Sequence, residues 1–467
     1  MPEMNNPAAL REKIVISGEF QLDAPLRIGS GESGETEVDT YVLKSRDQKP
    51  IIPGSSLAGV LRAACKDWEV ARLLFGSDHE ETTHNRGEIR QSAIDVHDII
   101  LKDVDMVIRD GVAINAHTGT AIDGSKHNYE AVDSGAHGSL SLIITIRQEQ
   151  SERLKEFEEA ARKIAALLAQ GLRLGSLTTK GFGLGHCPQV SIDFYDMSTQ
   201  AAVKAWLLKE ACATETVTAK DSHVYDPAIF VVDMELAING SLIVRHATDK
   251  KRGDMPIKAE QLQRRSKDGQ TKYYIIPGTS LKGVLRHQAI KILQRLGQEQ
   301  ELLDALMGSA GQKTKSRLIV NEVHIDKNAG VHEHLQARNS LDRFTGGVMP
   351  GKLFGENPIW QDDAEKSPLK LHLEIKPDIT TGKQRSWDLG LIMFLIKDLC
   401  LGQIPLGGEK SIGRGTLKGH KAVIHYNDNV FIIDAEGRVT GDNVPDRLQD
   451  MEGWAKAFLI GQAGEWI

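Results

Sequence analysis

The chain is poor in the residues that would give it an easy chemistry. Its 467 residues hold only four cysteines, Cys65, Cys187, Cys212 and Cys400, and no two form a CxxC pair. That excludes a disulfide framework and a thiolate zinc site, and fits a reducing compartment, the cytoplasm. Aromatic residues make up 5%. Base-stacking platforms of the kind found in RNA-recognition motifs are therefore not evident, and Tyr129, Phe182 and Phe344 are the only candidates. No apolar run reaches membrane-spanning length, and the opening MPEMNNPAALREK has no apolar core of the signal-peptide kind. An excess of positive charge is also missing. The net charge of −7 argues against a nonspecific nucleic-acid binder.

What the chain does have is a phrase used twice. Ile51–Arg62 reads IIPGSSLAGVLR and Ile275–Arg286 reads IIPGTSLKGVLR. Ten of the twelve positions are identical, at a constant offset of 224. That period is too long for a solenoid unit and signals two copies of one domain. The surroundings differ in charge. Ser241–Ile290 carries 11 lysines and arginines against 4 acids, or +7, while Leu26–Arg62 carries 5 of each. The second copy holds a basic patch that the first lacks.

Periodicity gives each copy the same order. In the first, alternation over 14–28 predicts a strand, the phrase opens a helix, and strands follow near 93–101 and 140–147. The amphipathic stretch 151–171 predicts a second helix, and a glycine-rich loop leads to a closing strand. In the second copy, strands are expected over 229–244, 316–325 and 368–375, and an apolar helix over 387–401. Residues 245–273 read as a long polar loop. The order βαββαβ predicts an α+β chain of two tandem ferredoxin-like, RRM-like domains. The boundaries expected are 1–213, a linker at 214–227, 228–426, and a C-terminal extension at 427–467 with a hairpin and a helix.

Three repeated features can do chemistry. The Pro-Gly turn opens a helix that Ser55 or Ser56, and Thr279 or Ser280, would cap; exposed N–H groups and the helix dipole there favour an anion. Arg62, Lys282 and Arg286 add charge. The plainer reading is a tight turn whose hydroxyl only caps. Second, GLRLGSLTTKGFGLG and PLGGEKSIGRGTLKG share a glycine core, around Lys180, Gly181 and Gly183 in one and Lys410, Ser411, Gly413, Arg414 and Gly415 in the other. Glycine lets a backbone approach phosphate closely, although it equally serves bulges. Third, each loop before the phrase carries an aspartate, Asp39 or Asp254, able to hold a divalent cation or position a ribose 2′-OH. Glu35 and Glu37 flank Asp39, and Asp249 and Asp268 compete with Asp254; ordinary solvated aspartates are the alternative. Histidines 79, 84, 117, 127, 137, 324, 332 and 334 show no ligand spacing for zinc.

The two phrases, the DRFTGG…LFGE segment and the glycine-rich loops resemble the RAMP (repeat-associated mysterious protein) superfamily of CRISPR–Cas effectors. Within it the chain is similar to the backbone subunits of type III complexes, two of them fused in tandem as in type III-D. The likeness covers nearly all of 14–425. It implies thumb insertions at 115–132 and 339–359. It implies that phrase and loop grip the guide RNA (crRNA), and that Asp39 and Asp254 cut target RNA with a divalent metal, Mg2+ or Mn2+. The implied partners are crRNA, target RNA and other CRISPR effector subunits, with no membrane and no small-molecule substrate. Ala58 departs from the lysine the family favours. RAMP domains without the aspartate bind RNA and do not cut it. A non-catalytic guide-binding subunit and a guide-processing endoribonuclease therefore stay open.

Overall fold

The computed structural model describes residues 7–31, 38–65, 68–77, 90–116, 118–219, 227–265, 271–309, 311, 313–328, 330–363, 365–366, 369–461 and 466–467. Glu35, Glu37, Asp268, His79, His84 and His117 lie outside the described residues. The chain divides into two compact units. The first comprises Met1–Thr178 and Phe182–Val224, the second Thr179–Gly181 and Tyr225–Ile467.

In the first unit the chain runs through β1 (Leu10–Leu22), α1 (Gly54–Ala64), α2 (Trp68–Phe75), β2 (Ile94–Val96), β3 (Met106–Gly111), β4 (His127–Val132) and β5 (His137–Arg147). It continues with α3 (Leu154–Gln170), β6 (Gln189–Asp196), α4 (Gln200–Leu208) and β7 (Thr214–Thr218). The main sheet is ordered β7-β6-β1-β5-β2 and antiparallel throughout. β1 and β5 sit at its centre because both alternate, which puts Ile14, Ile16, Leu140, Leu142 and Ile144 on one face. The apolar stripe of α3, Phe157, Ile164 and Leu168, covers that face. Thr214–Thr218, within the stretch expected as linker, is a strand paired with β6. Its run of Thr and Val suits a pleated edge.

The second unit contains β8 (Phe230–Asn239), β9 (Met255–Gln261), α5 (Gly278–Leu296), β10 (Leu318–Val320), β11 (Gln336–Arg338), β12 (Phe354–Asn357), β13 (Leu369–Ile375), α6 (Ser386–Cys400), β14 (Thr416–Tyr426), β15 (Asn429–Ile433) and α7 (Val444–Ile460). Its six-stranded sheet is ordered β10-β13-β8-β14-β15 and ends on Val439–Thr440, so the first unit's order of five recurs with one more strand at an edge. Phe230, Val232, Met234, Leu371, Leu373 and Ile424 face α5 and α6. α6 is buried on nearly every side because α7 closes over it. Gly390 permits that contact, since a Cβ there would stand 2.2 Å from the Trp454 carbonyl oxygen.

The segment 245–273 is not the polar loop that its composition suggests. Short strands run through it: Arg245–Ala247 pairs with β9, and β9 pairs in parallel with β12, which pairs with β11. Charged side chains conceal a strand from hydropathy when both faces carry them, as in KRGDMPIKAEQ. Among the described residues, no helix is long and apolar enough to cross a membrane.

Candidate nucleic-acid interface

The two phrases fold alike to within the precision of their hydrogen bonds. Pro53 and Pro277 take φ −61° and −62°, and their carbonyls accept from Ser56 and Ser280 at 3.0 Å and from Leu57 and Leu281 at 3.1 Å. Gly54 and Gly278 are needed because a strand backbone lies against them: a Cβ would stand 2.1 Å from the Val96 oxygen in one and 2.5 Å from the Val320 oxygen in the other. The hydroxyls do not cap. The cap residues are Pro53 and Pro277, and neither helix has a side-chain capping bond. In the first copy the carboxylate of Asp98, arriving from beyond β2, accepts from Gly54 N at 2.7 Å. Proline has already set the turn, so the cap comes from across the fold and not from the phrase. Ser55 is exposed, and Ser56, Thr279 and Ser280 are half-buried.

The three cations of the phrases sit differently. Arg62 is half-buried in α1. Lys282 turns inward, donating to the Leu318 carbonyl at 2.7 Å and Ser316 Oγ at 2.6 Å. Burial, with the Arg286 charge nearby, pushes its ammonium down to about 7. Arg286 pairs with Asp304 and donates to the Gly308 carbonyl at 2.7 Å.

The glycine-rich loops repeat atom by atom. Leu174 N bonds Gly183 O at 2.9 Å, as Leu406 N bonds Gly415 O at 2.9 Å. Gly183 N bonds Pro25 O at 2.7 Å, as Gly415 N bonds Ser241 O at 2.7 Å. Gly181 and Gly413 share a left-handed φ, +89° and +85°. This register matches Gly181-Phe182-Gly183 with Gly413-Arg414-Gly415, so the buried Phe182 and the buried Arg414 occupy one equivalent place. Phe182 packs with Tyr129 and Ala131, and Arg27 lies over the Tyr129 ring at 4.7 Å. Arg414 instead donates to Glu409 at 2.6 Å, Ser241 Oγ at 2.9 Å and Gln336 at 2.5 Å. One copy fills the place with aromatic packing, the other with a charge network. Lys410 and Ser411 lie exposed on the second loop, and Lys180 is half-buried on the first. Although Lys410 meets solvent, the protein packed around its ammonium, and then the Lys291 charge, lower its pKa.

The two aspartates also differ. Asp39 is exposed yet held: its N–H donates to Asn128 Oδ1 at 2.9 Å, and its Oδ2 accepts from Asn128 N at 2.7 Å. Neighbouring Glu130 takes Val42 N at 3.0 Å and Lys44 Nζ at 3.3 Å. Asp254 stands at the exposed tip of a tight hairpin. Lys251–Arg252 pairs with Met255–Pro256, and Gly253 turns at φ +59°. Lys251 and Arg252 flank it, while Asp249 is exposed a few residues away. Among the described residues no group of three or more His, Cys, Asp or Glu stands ready to hold a metal. An ion of the Mg2+ kind, bound through one or two carboxylates with phosphate and water, would take oxygen donors of the type that Asp39 and Asp254 offer.

Of the first segment expected as a thumb, 115–132, the end is β4, and it forms a two-stranded ribbon with β3, which lies before that segment. Ile108, Val112 and Ile122 are exposed on that ribbon and its connecting loop. In the second unit Leu341 bridges to Val348, Asp342 caps the turn, and Phe344 is 99% exposed. Of the histidines, His137 lies 3.1 Å from Glu19 and His332 lies 2.9 Å from Asp362. Sequence reading passed over Asp98, Asn128, Arg245, Arg338, Glu356 and Glu409. Each works through a partner distant in sequence: Asp98 through Gly54 of the phrase, Asn128 through Asp39, and the other four around the second glycine-rich loop.

The RAMP superfamily model matches the chain twice, over 19–185 and 242–418. The two matches span well over half of the sequence, and the chain belongs to the RAMP superfamily. No curated protein matches the chain.

Proposed function

We propose that the chain is a backbone subunit of a type III CRISPR RNA-guided effector complex, holding crRNA and cutting complementary target RNA. The observation that carries the reading is the recurrence of both glycine-rich loops, hydrogen bond for hydrogen bond, within the two stretches matched to the RAMP superfamily. The sheet order supports two ferredoxin-like domains in tandem. A tandem fusion points to the type III-D variants, and to the cytoplasm as the place of work.

In this reading Ser55, Ser56, Arg62, Thr279, Ser280, Lys410 and Ser411 present donors to the guide backbone, and base pairing supplies the sequence specificity. Asp39 and Asp254 face the target strand. A divalent cation, Mg2+ or Mn2+, held by either carboxylate together with RNA phosphate would supply charge neutralisation at the scissile phosphodiester. Asn128 fixes the Asp39 carboxyl through Oδ2, whereas Asp254 is presented on a hairpin amid cations. Asp39→Ala and Asp254→Ala, assembled singly with crRNA and the other subunits, should each abolish one cut in the target RNA. Unchanged cuts in the double variant would sink the catalytic assignment. A second reading, guide binding without cleavage at the first site, draws on the engagement of Asp39 Oδ2 by Asn128. It expects Asp39→Ala to be silent.

A further inference from the structure

The loop register described above assigns equivalent positions that the phrase does not reach. Gly175 would place a Cβ 2.4 Å from Arg27 O, and Gly407 one 2.3 Å from Ile243 O. With Pro25 matched to Ser241, the offset here is 216, and Arg245 falls where the first copy has Gly29.

Arg245 is laid on the second glycine-rich loop. Its Cδ and Cγ come within 3.0 and 3.1 Å of where a Cβ on Gly408 would be, so the glycine is what lets the side chain lie there. One end of its guanidinium, Nη2, is anchored on Glu356 Oε1. Glu356 is fully buried on β12, and Arg338 Nη1 stands 3.5 Å from its other oxygen. Arg338 in turn grips Glu409 with both Nη atoms, and Arg414 holds Glu409 from beneath. Three guanidiniums thus surround two carboxylates, leaving net positive charge. Burial, and then a hydrogen bond shared with Glu409, raise the pKa of Glu356. Of the three arginines Arg245 is the most open, its side chain 49% exposed, so the surplus charge surfaces there. A planar fork pinned at one end and open at the other suits a phosphodiester oxygen.

We propose that Arg245 is a phosphodiester-binding residue of the second unit, held across the glycine-rich loop by Gly408 and anchored from behind by Glu356, with no counterpart in the first unit. The inference rests on the RNA-binding reading above. The ionic chain Glu356–Arg338–Glu409 then ties the phosphate contact to the position of the loop that carries Lys410 and Ser411.

The test uses the full chain and a fluorescein-labelled single-stranded RNA of mixed sequence, with anisotropy titrations between about 50 and 200 mM KCl. Arg245→Gln should weaken binding about 5–10-fold at low salt and flatten the log–log salt slope by about 1. Arg438→Gln, the same charge change on an exposed turn far along the chain, should alter neither. Equal affinity and slope for Arg245→Gln and the unaltered chain overturn the proposal, as does an equal loss from Arg438→Gln. Should Arg245→Gln fail to fold, Arg245→Lys decides. A lysine cannot both reach Glu356 and present a fork, so a loss of about 3-fold is expected, and no loss overturns the proposal. An unaltered chain that binds no RNA would instead remove the functional reading itself.

Discussion

At the residue scale, the informative positions are charges placed where water is scarce. Glu12 lies in β1 at the margin of the core. Burial, then the charges of Glu158 and Asp196, raise its pKa to about 7. The folded state therefore favours the protonated form, and this contribution to stability is complete below the ordinary carboxylate pKa and lost as pH rises through about 7. Glu12→Gln should melt higher than the unaltered chain at pH 8, by on the order of 2 kcal/mol in stability, and the two should converge at pH 4.5. His372 loses its contribution in the same pH direction, but for a different reason. Burial alone would lower it, but hydrogen bonds and charge from Asp233 and Glu374 outweigh that and raise it to about 9. Its stabilisation is present below the ordinary histidine pKa and disappears as pH climbs through about 9. Between pH 8 and 10, above the range in which Glu12 titrates, denaturant midpoints should fall for the native chain and fall less for His372→Gln.

At the scale of the element, the glycine-rich loops are set by sterics more than by charge. A Cβ on Gly183 or Gly415 would lie 1.9 or 1.8 Å from a carbonyl oxygen, at φ +77° and +79°. Alanine at either place must displace the backbone, at about 3 kcal/mol or more, and RNA affinity should fall with it. Gly413 has the same φ sign but open space around it, so Gly413→Ala should cost only about 1–2 kcal/mol. Chemical denaturation of the three variants checks the ranking, and equal costs would contradict it. The helix-opening phrase was legible as a turn from Pro53-Gly54 and Pro277-Gly278. Its cap was not, because Asp98 lies 44 residues from Gly54 and no local rule links them. Asp98→Ala should cost about 1 kcal/mol, while Ser55→Ala should leave stability nearly unchanged.

At the scale of the whole molecule, a net charge of −7 is compatible with RNA binding because the charge is patterned and not averaged. The second unit gathers Lys250, Lys251, Arg252 and Arg245 beside β9. Affinity for RNA should therefore drop steeply between 50 and 200 mM salt, and a flat response would show that the patch does not meet phosphate.

The duplication, the α+β class and most of the central strands were readable from sequence. Repetition at a constant offset and alternation in strands such as Ile14–Phe20 survive without tertiary context, because local sterics and burial of one face produce them. The fate of individual charges was not readable. Lys282 looks like a contact for an outside anion, and it spends its donors on Ser316 and Leu318. Arg414 looks the same, and it closes a network with Glu409, Ser241 and Gln336. Arg245, unremarkable in a polar stretch, is the one left half-open on the loop. Whether a cation meets solvent or a carboxylate depends on which distant strand folds against it, and only the tertiary structure brings that strand near.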